Sequence, residues 1–268
     1  MSSTMLDPAY ADQNKISRCL DSLKRIQKYN QNTFDKMQIS CQENDYILIE
    51  VVLKKIPEND SIFVNRYSLP HHWRTTITYK TCLIVPDANR SALTDLKLGI
   101  QETKTKYLNL LEEFNANELV TEIIPMRELY TKFRKRVLCK KLASTYDAFL
   151  CEKNLLKNKF DFLFFFLGKK FWIDAENIPG MIDFNDKTTL RQQIEFRLNQ
   201  ATIYQTGNNS TLTVCVGTFS QESKHVVENI LATLTKLKEL FLNNVESLSL
   251  KSKQSMAITF YMDLCPLS

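Results

Sequence analysis

Apolar side chains recur at steps of three and four through Ile16, Cys19, Leu20, Leu23, Ile26 and Tyr29, with Lys15, Arg18, Lys24, Arg25 and Lys28 on the other side. That spacing predicts an amphipathic helix with one buried stripe. From Tyr46 to Ile56 the chain becomes a nearly unbroken run of β-branched and apolar residues that stops at Pro57, which predicts a strand. Arg66-Tyr67-Ser68-Leu69-Pro70-His71-His72-Trp73 then reads as extended chain leaving a sheet, because Pro70 lacks a backbone donor and biases Leu69 away from helix.

Beyond Trp73 short apolar runs alternate with longer amphipathic stretches. Strands are predicted at Thr78 to Val85, Leu119 to Ile124 and Tyr146 to Cys151. Helices are predicted from a cap at Ser91 to Phe114, over Met126 to Leu142, and over Lys153 to Phe166 with an end at Gly168. This alternation implies parallel strands joined by crossover helices, an α/β unit of roughly 100 residues. From Ile178-Pro179-Gly180-Met181 the earlier style returns. Leu190, Ile194 and Leu198 mark a helix, Ala201 to Tyr204 and Thr211 to Gly217 read as a hairpin across Gly207-Asn208-Asn209, and Val226 to Phe241 carries a long apolar stripe. Strands over Val245 to Leu250 and Met256 to Asp263 close the chain. Neither end holds an adequate core alone, so the two ends are expected to pack together around an inserted middle. The expected domains are 1–75 with 175–268, and 76–174, with a hinge near Trp73 and Ile178.

Composition removes several function classes. The 268 residues are 44% hydrophobic and 24% charged, an ordinary globular balance, and the five Gly form neither a G-x-G-x-x-G nor a Walker A loop. A dinucleotide site is therefore not expected in the α/β unit. The longest apolar run, Phe162 to Leu167, is about a third of a membrane span. MSSTMLDPAYADQNK has acids and polar groups where a signal peptide is apolar, so a soluble, non-secreted chain is expected. The seven Cys include no C-x-x-C pair and read as reduced thiols of cytosol or nucleus. His71 and His72 point to opposite sides of an extended chain and only His225 joins them, so no metal site is expected. No Ser-His-Asp set, carboxylate pair or phosphate loop stands out, so catalytic residues, cofactors and a small-molecule substrate are not expected.

The net charge of +5 says little, but its distribution says more. Between Tyr130 and Trp172 eleven Lys or Arg face three acids, so that segment carries +8 and the rest −3. A basic helix face of this kind contacts RNA, contacts a protein, or stays solvated. The Phe162 to Leu167 run reads as the buried end of a crossover or as an exposed partner patch.

Four short motifs, in order, resemble the L-one family of large-subunit ribosomal proteins, in particular its eukaryotic ribosome-assembly relatives. They are Ser68-Leu69-Pro70-His71; Tyr146-Asp147-Ala148-Phe149-Leu150 followed by Leu167-Gly168-Lys169-Lys170-Phe171; Gly217-Thr218-Phe219-Ser220 with Glu228-Asn229-Ile230; and Ser247 to Ile258. The likeness spans about residues 13 to 263. It implies a two-domain L-one-like fold of mixed α/β and α+β class, in which a discontinuous α+β domain contacts RNA and a three-layer Rossmann-like α/β domain is inserted. The implied activity is non-catalytic binding of structured pre-ribosomal RNA. The implied role is ribosome biogenesis and rRNA processing in the nucleus and nucleolus, as a monomer within a particle among other ribosome-assembly proteins and away from membranes.

The resemblance also orders the candidate residues. Lys251, Ser252, Lys253 and Ser255 coincide with the family's contact loop, where charges and hydroxyls would meet phosphates and 2′-hydroxyls. Tyr46 lies near the family's aromatic contact and would stack on RNA or pack on the core. Ser68, His71 and Arg66 belong to the crossing segment, and Lys187 and Arg191 lie beside the expected RNA face. One departure is that ribosomal members carry T-M-G where this chain reads Lys253-Gln254-Ser255, which points toward an assembly factor and leaves open a protein scaffold whose RNA face has decayed.

Overall fold

The computed structural model describes residues 12–36, 46–56, 63–72, 79–88, 96–155, 178–205, 209–241, 244–252 and 255–263. Trp73, Ser91, Gly207 and Asn208, Lys253, the Phe162 to Leu167 run, the Leu167 to Phe171 motif and most of the helix expected from Lys153 lie outside the described residues. The chain divides into two compact units, Met1–Trp73 with Gln200–Ser268, and Arg74–Asn199. The first unit opens with α1 (Gln13–Lys36), β1 (Tyr46–Leu53) and β2 (Phe63–Ser68). The second contains β3 (Thr81–Val85), α2 (Leu96–Glu113), β4 (Glu122–Pro125), α3 (Met126–Lys132), α4 (Arg136–Thr145), β5 (Ala148–Glu152), β6 (Gly180–Ile182) and α5 (Leu190–Leu198). The chain returns to the first unit with β7 (Gln200–Gln205), β8 (Thr211–Thr218), α6 (Ser223–Phe241), β9 (Val245–Lys251) and β10 (Ile258–Met262).

In the first unit β10, β9, β1 and β8 form an antiparallel sheet in that order. The apolar face of β1 and the stripes of α1 and α6 supply one core, from Ile16, Leu20 and Leu23 through Ile47, Ile49 and Val51 to Ile230, Leu234 and Leu237. Ile26 and Tyr29, expected in the α1 stripe, are exposed. Successive steps of three from Leu20 lag the helical turn by about 60° each, which rotates them off the buried side. The expected hairpin between the strands at 201–204 and 211–217 does not form: β7 pairs with β2, and β8 pairs with β1. Pairing with β2 places Ala201 and Ile203 in the first unit's core.

In the second unit β4, β3, β5 and β6 form a parallel sheet in that order, the arrangement that the alternating pattern implied. Leu83, Val85 and Leu150 share a core with Tyr107 and Leu111 of α2 and with Leu190, Ile194 and Leu198 of α5. The alternate residues Cys82, Ile84, Phe149 and Cys151 are equally buried, so both faces are covered, as an α/β sheet requires. The expected boundary at 175 moves to 199, because β6 continues the parallel ladder beside β5 and α5 packs on its core. The single helix expected over Met126 to Leu142 is two. Met126 and Leu129 are buried in α3, but an unbroken helix would next turn Arg136 and Lys140 inward; the break at Phe133 to Lys135 rephases the chain so that Cys139 and Leu142 are buried instead.

Buried charge in this unit is paired. Glu128 is buried on α3 between Lys104, whose Nζ lies 2.9 Å from Oε2, and Lys132, whose Nζ donates to Oε1 at 2.7 Å. Burial pushes the Glu128 carboxyl up, and the two lysines more than offset it, so it titrates below the usual carboxylate range. A carboxylate held low adds stability above its unfolded value, and that stability is lost as pH falls through its native value. Lys132 is mostly exposed and its share is screened. We expect Glu128→Gln to destabilise the chain by about 1 to 2 kcal/mol at neutral pH. In urea melts the wild type and the variant should converge below about pH 4, where the carboxylate range ends.

Candidate nucleic-acid interface

Antiparallel pairing brings the start of β1, the end of β8, the end of β9 and the start of β10 to one end of the first unit's sheet. Tyr46 stands opposite Thr218, Leu48 opposite Lys251, and Leu250 opposite Ile258. The ladder between β1 and β8 slips between Ile47 and Leu48, which face Gly217 and Cys215 and leave Val216 as the extra residue of a bulge. A bulge residue is left out of the regular ladder, and the Val216 carbonyl accepts a hydrogen bond from Asn229 Nδ2 at 2.9 Å. Asn229 is fully buried on the first turns of α6. Its amide also donates to the His71 carbonyl at 2.8 Å, and its Oδ1 accepts the His71 N–H at 2.9 Å. The crossing segment after β2 is thereby fastened to α6 and to the bulge.

Neighbouring contacts reinforce that joint. His71 Nε2 is bonded to Glu228 Oε2, and the His71 ring stacks on His225 with centroids 4.1 Å apart. The bond to His71 holds the Glu228 carboxyl below its ordinary range. One helical turn further, Thr233 Oγ1 accepts from Tyr67 of β2 at 2.8 Å and donates to the Asn229 carbonyl at 2.8 Å. Gln221 closes the turn after β8: its Oε1 accepts the Thr218 N–H at 3.1 Å and its Nε2 donates to the His72 carbonyl at 3.2 Å. A Cβ at Gly217 would lie 2.5 Å from Gln221 Oε1, so glycine leaves room for this clasp. Lys24 of α1 donates to the Gln221 carbonyl and to Ser223 Oγ, tying the helix to the same turn.

Of the sequence candidates, Tyr46, His71, Lys251, Ser252 and Ser255 meet at this end. Ser68 is exposed at the last position of β2, opposite Gln200, and Arg66 is half-buried on the same strand, opposite Thr202. Tyr46 is half-buried at the head of β1. Lys251 is bonded through Nζ to Glu50 on β1, with both side chains about three-quarters buried at 24% exposure. Ser252 is a correction: at 2% exposure it is buried rather than offered at the surface, and its N–H donates to Ser255 Oγ at 2.8 Å. Arg191 is a second correction. It lies in the second unit on α5, where it bonds Glu195 at 2.8 Å, Glu118 at 2.6 Å and the Asn115 carbonyl, so its guanidinium ties α5 to the turn at Asn117–Leu119. Those carboxylates raise it above its ordinary value. Lys187 is in the same unit, in a short 3-10 turn just before α5.

Three contributors escaped the sequence reading: Gln221, Thr233 and Glu50. Glu50 had a usable signal, since one carboxylate within the otherwise apolar YILIEVVL calls for a cross-strand cation. Chemistry beyond binding finds little support here. Burial raises the thiols of Cys19, Cys82, Cys139 and Cys151, the reverse of what a nucleophile needs. Among the described residues no group of three or more His, Cys, Asp or Glu is arranged to hold a metal ion. No described helix is long and apolar enough to cross a membrane.

Asn229→Ala would strand the His71 N–H and the Val216 carbonyl, and we expect a loss of about 2 to 4 kcal/mol in urea denaturation. Asn229→Asp should do no better, because a carboxylate cannot donate to the two carbonyls and brings a charge into a buried site. Hydrogen exchange at the His71 amide should accelerate in Asn229→Ala, which removes its acceptor.

A family model described as the Ribosomal protein L1p/L10e family matches residues 26–256. Ribosomal L1 domain-containing protein 1 of Mus musculus is 22% identical over 253 residues, which cover 93% of this chain and 51% of that protein. The chain thus spans about half the length of this curated relative. With the matched span taking in all of the second unit and most of the first, and with the glycine turn, the E-N pair and the crossing segment interlocked as described, the chain belongs to the ribosomal protein L1p/L10e family.

Proposed function

We propose that the chain binds structured RNA without catalysis, as a ribosome-assembly protein of nucleolar pre-ribosomal particles. The observation that carries this reading is the gathering of Tyr46, His71, Lys251 and Ser255 at one end of the first unit's sheet, in a chain whose family is that of a ribosomal protein. A half-buried ring, an imidazole and a hydroxyl beside lysine are suited to sugar, base and phosphate contacts with RNA. The rigid joint at Asn229 supports the same reading, because recognition of RNA shape needs a surface that does not rearrange. Pre-ribosomal RNA and other assembly proteins are the partners this role entails.

One observation favours a second reading, a protein scaffold on the old RNA fold. Each of three basic side chains at this end already lies against a carboxylate: Lys251 with Glu50, His71 with Glu228, and His225 with Glu222 at 3.6 Å. The two readings separate by experiment. Crosslinking the protein to RNA in cells should recover reads concentrated at one or two places in pre-ribosomal RNA, with crosslinked peptides containing Tyr46, His71 or Lys251. With a short structured RNA taken from those reads, Lys251→Ala combined with Lys253→Ala should weaken binding and reduce the salt slope by roughly 0.7 to 0.9 per lost phosphate contact. Background reads alone, from a protein that still sediments with pre-ribosomal particles, would replace the RNA reading with the scaffold.

A further inference from the structure

The second unit concentrates positive charge on one short segment. From Leu129 to Tyr146 the chain has no acid, and Arg134, Lys135, Arg136, Lys140 and Lys141 are all exposed at the turn before α4 and along that helix. Because Cys139 and Leu142 form the buried stripe of α4, Arg136 with Lys140, and Val137 with Lys141, stack one turn apart on the outer side. None of the five enters an ion pair among the described residues, and Glu128, the nearest acid before them in sequence, is already held by Lys104 and Lys132. α1 is also rich in Lys and Arg, yet Asp21 sits among its cations.

This arrangement costs the fold stability. Arg136 and Lys140 repel at the four-residue spacing, and cations at the start of α4 oppose its dipole, with no acid in the first turn to answer it. A polyanion reverses the sign of both effects. The patch also offers a protein partner little to grip: among the described residues its exposed large apolar side chains are Val137, 77% exposed, and Leu138, neither of them aromatic. We propose that the outer face of α4 and the preceding turn bind the phosphate backbone of RNA, as a contact surface of the inserted unit separate from the sheet end of the first. The inference rests on the RNA-binding reading and deepens it: contact there is sequence-independent and supplies affinity and salt dependence, whereas the sheet end of the first unit, with Lys251 already paired to Glu50, is left to recognise shape.

The test uses the full chain and a fluorescein-labelled RNA duplex of about 20 base pairs, followed by anisotropy from about 50 to 250 mM KCl. The variant R134Q/K135Q/R136Q/K140Q/K141Q should bind at least about tenfold more weakly, with a salt slope lower by roughly 2 to 4. The charge-keeping swap R134K/K135R/R136K/K140R/K141R should follow the wild type, and circular dichroism should match in all three. Indistinguishable salt slopes for the wild type and the five-fold glutamine variant would overturn the proposal, as would a wild type that ignores the duplex at the lowest salt. Polyglutamate of equal charge competing as well as unlabelled duplex would assign the patch to acidic protein segments instead. The K251A/K253A variant, measured on its own cellular RNA, judges the first-unit surface separately: its failure with loss in the α4 variant leaves α4 standing, and the converse removes α4 alone.

Discussion

A fully buried primary amide must find partners for two N–H bonds and a carbonyl, and Asn229 finds them on a bulge carbonyl and on both backbone groups of one residue, His71, 158 residues away in the chain. The arrangement is mutually dependent. Without the bulge the Val216 carbonyl would belong to the ladder with β1, and without the bend after Leu69-Pro70 His71 would not present its backbone N–H and C=O to one side chain. Glu228, His225 and Thr233 then hold the ring of His71 and the hydroxyl of Tyr67 on consecutive turns of the same helix. A discontinuous unit needs such a joint. Its two segments are joined in sequence only through the inserted unit, so the polar lock and the shared core fix the register in which they meet.

The electrostatics of the first unit follow from the same economy. Positions at the sheet end that could project a cation are close to strands or helix turns carrying acids, and proximity at low exposure favours pairing. Lys251 lies one residue from Ser252, which the turn buries, so its stem is drawn down toward Glu50 and away from solvent. The surface that results is shaped more than charged.

Much of this was legible in sequence wherever one pattern dominated. The α1 and α6 stripes, β1, the parallel run through β3, β4 and β5, and the motif pairs Ser68 to His71 and Glu228 to Ile230 all carry signals set by local period or local chemistry. The failures share a different cause. β7 looks like the first arm of a hairpin because Gly207-Asn208-Asn209 is good turn chemistry, and only β2, more than a hundred residues earlier, competes for it. β6 is three residues long, too short to declare its sheet, and its membership moves the unit boundary. Ser252 and Arg191 were judged by residue type, but burial in one case and two carboxylates with a carbonyl in the other decide what those groups can reach.

The second unit shows how differently one structure can treat its charges. Glu128, Lys104, Asp183 with Lys153, and Arg191 are each drawn into pairs that tie one element to another: Lys104 of α2 to Glu122 of β4 and Glu128 of α3, Lys153 to Asp183 after β6, and Arg191 of α5 to Glu118. The α4 cations sit in the same unit and the same solvent, yet the break at Phe133 to Lys135 turns every one of them outward while it turns Cys139 and Leu142 in. Had α3 continued unbroken, Arg136 and Lys140 would have faced the core at severe desolvation cost. The break that rescues packing is therefore also what concentrates the charge, and a surface created by a packing constraint becomes available for a polyanion without any further change in the fold.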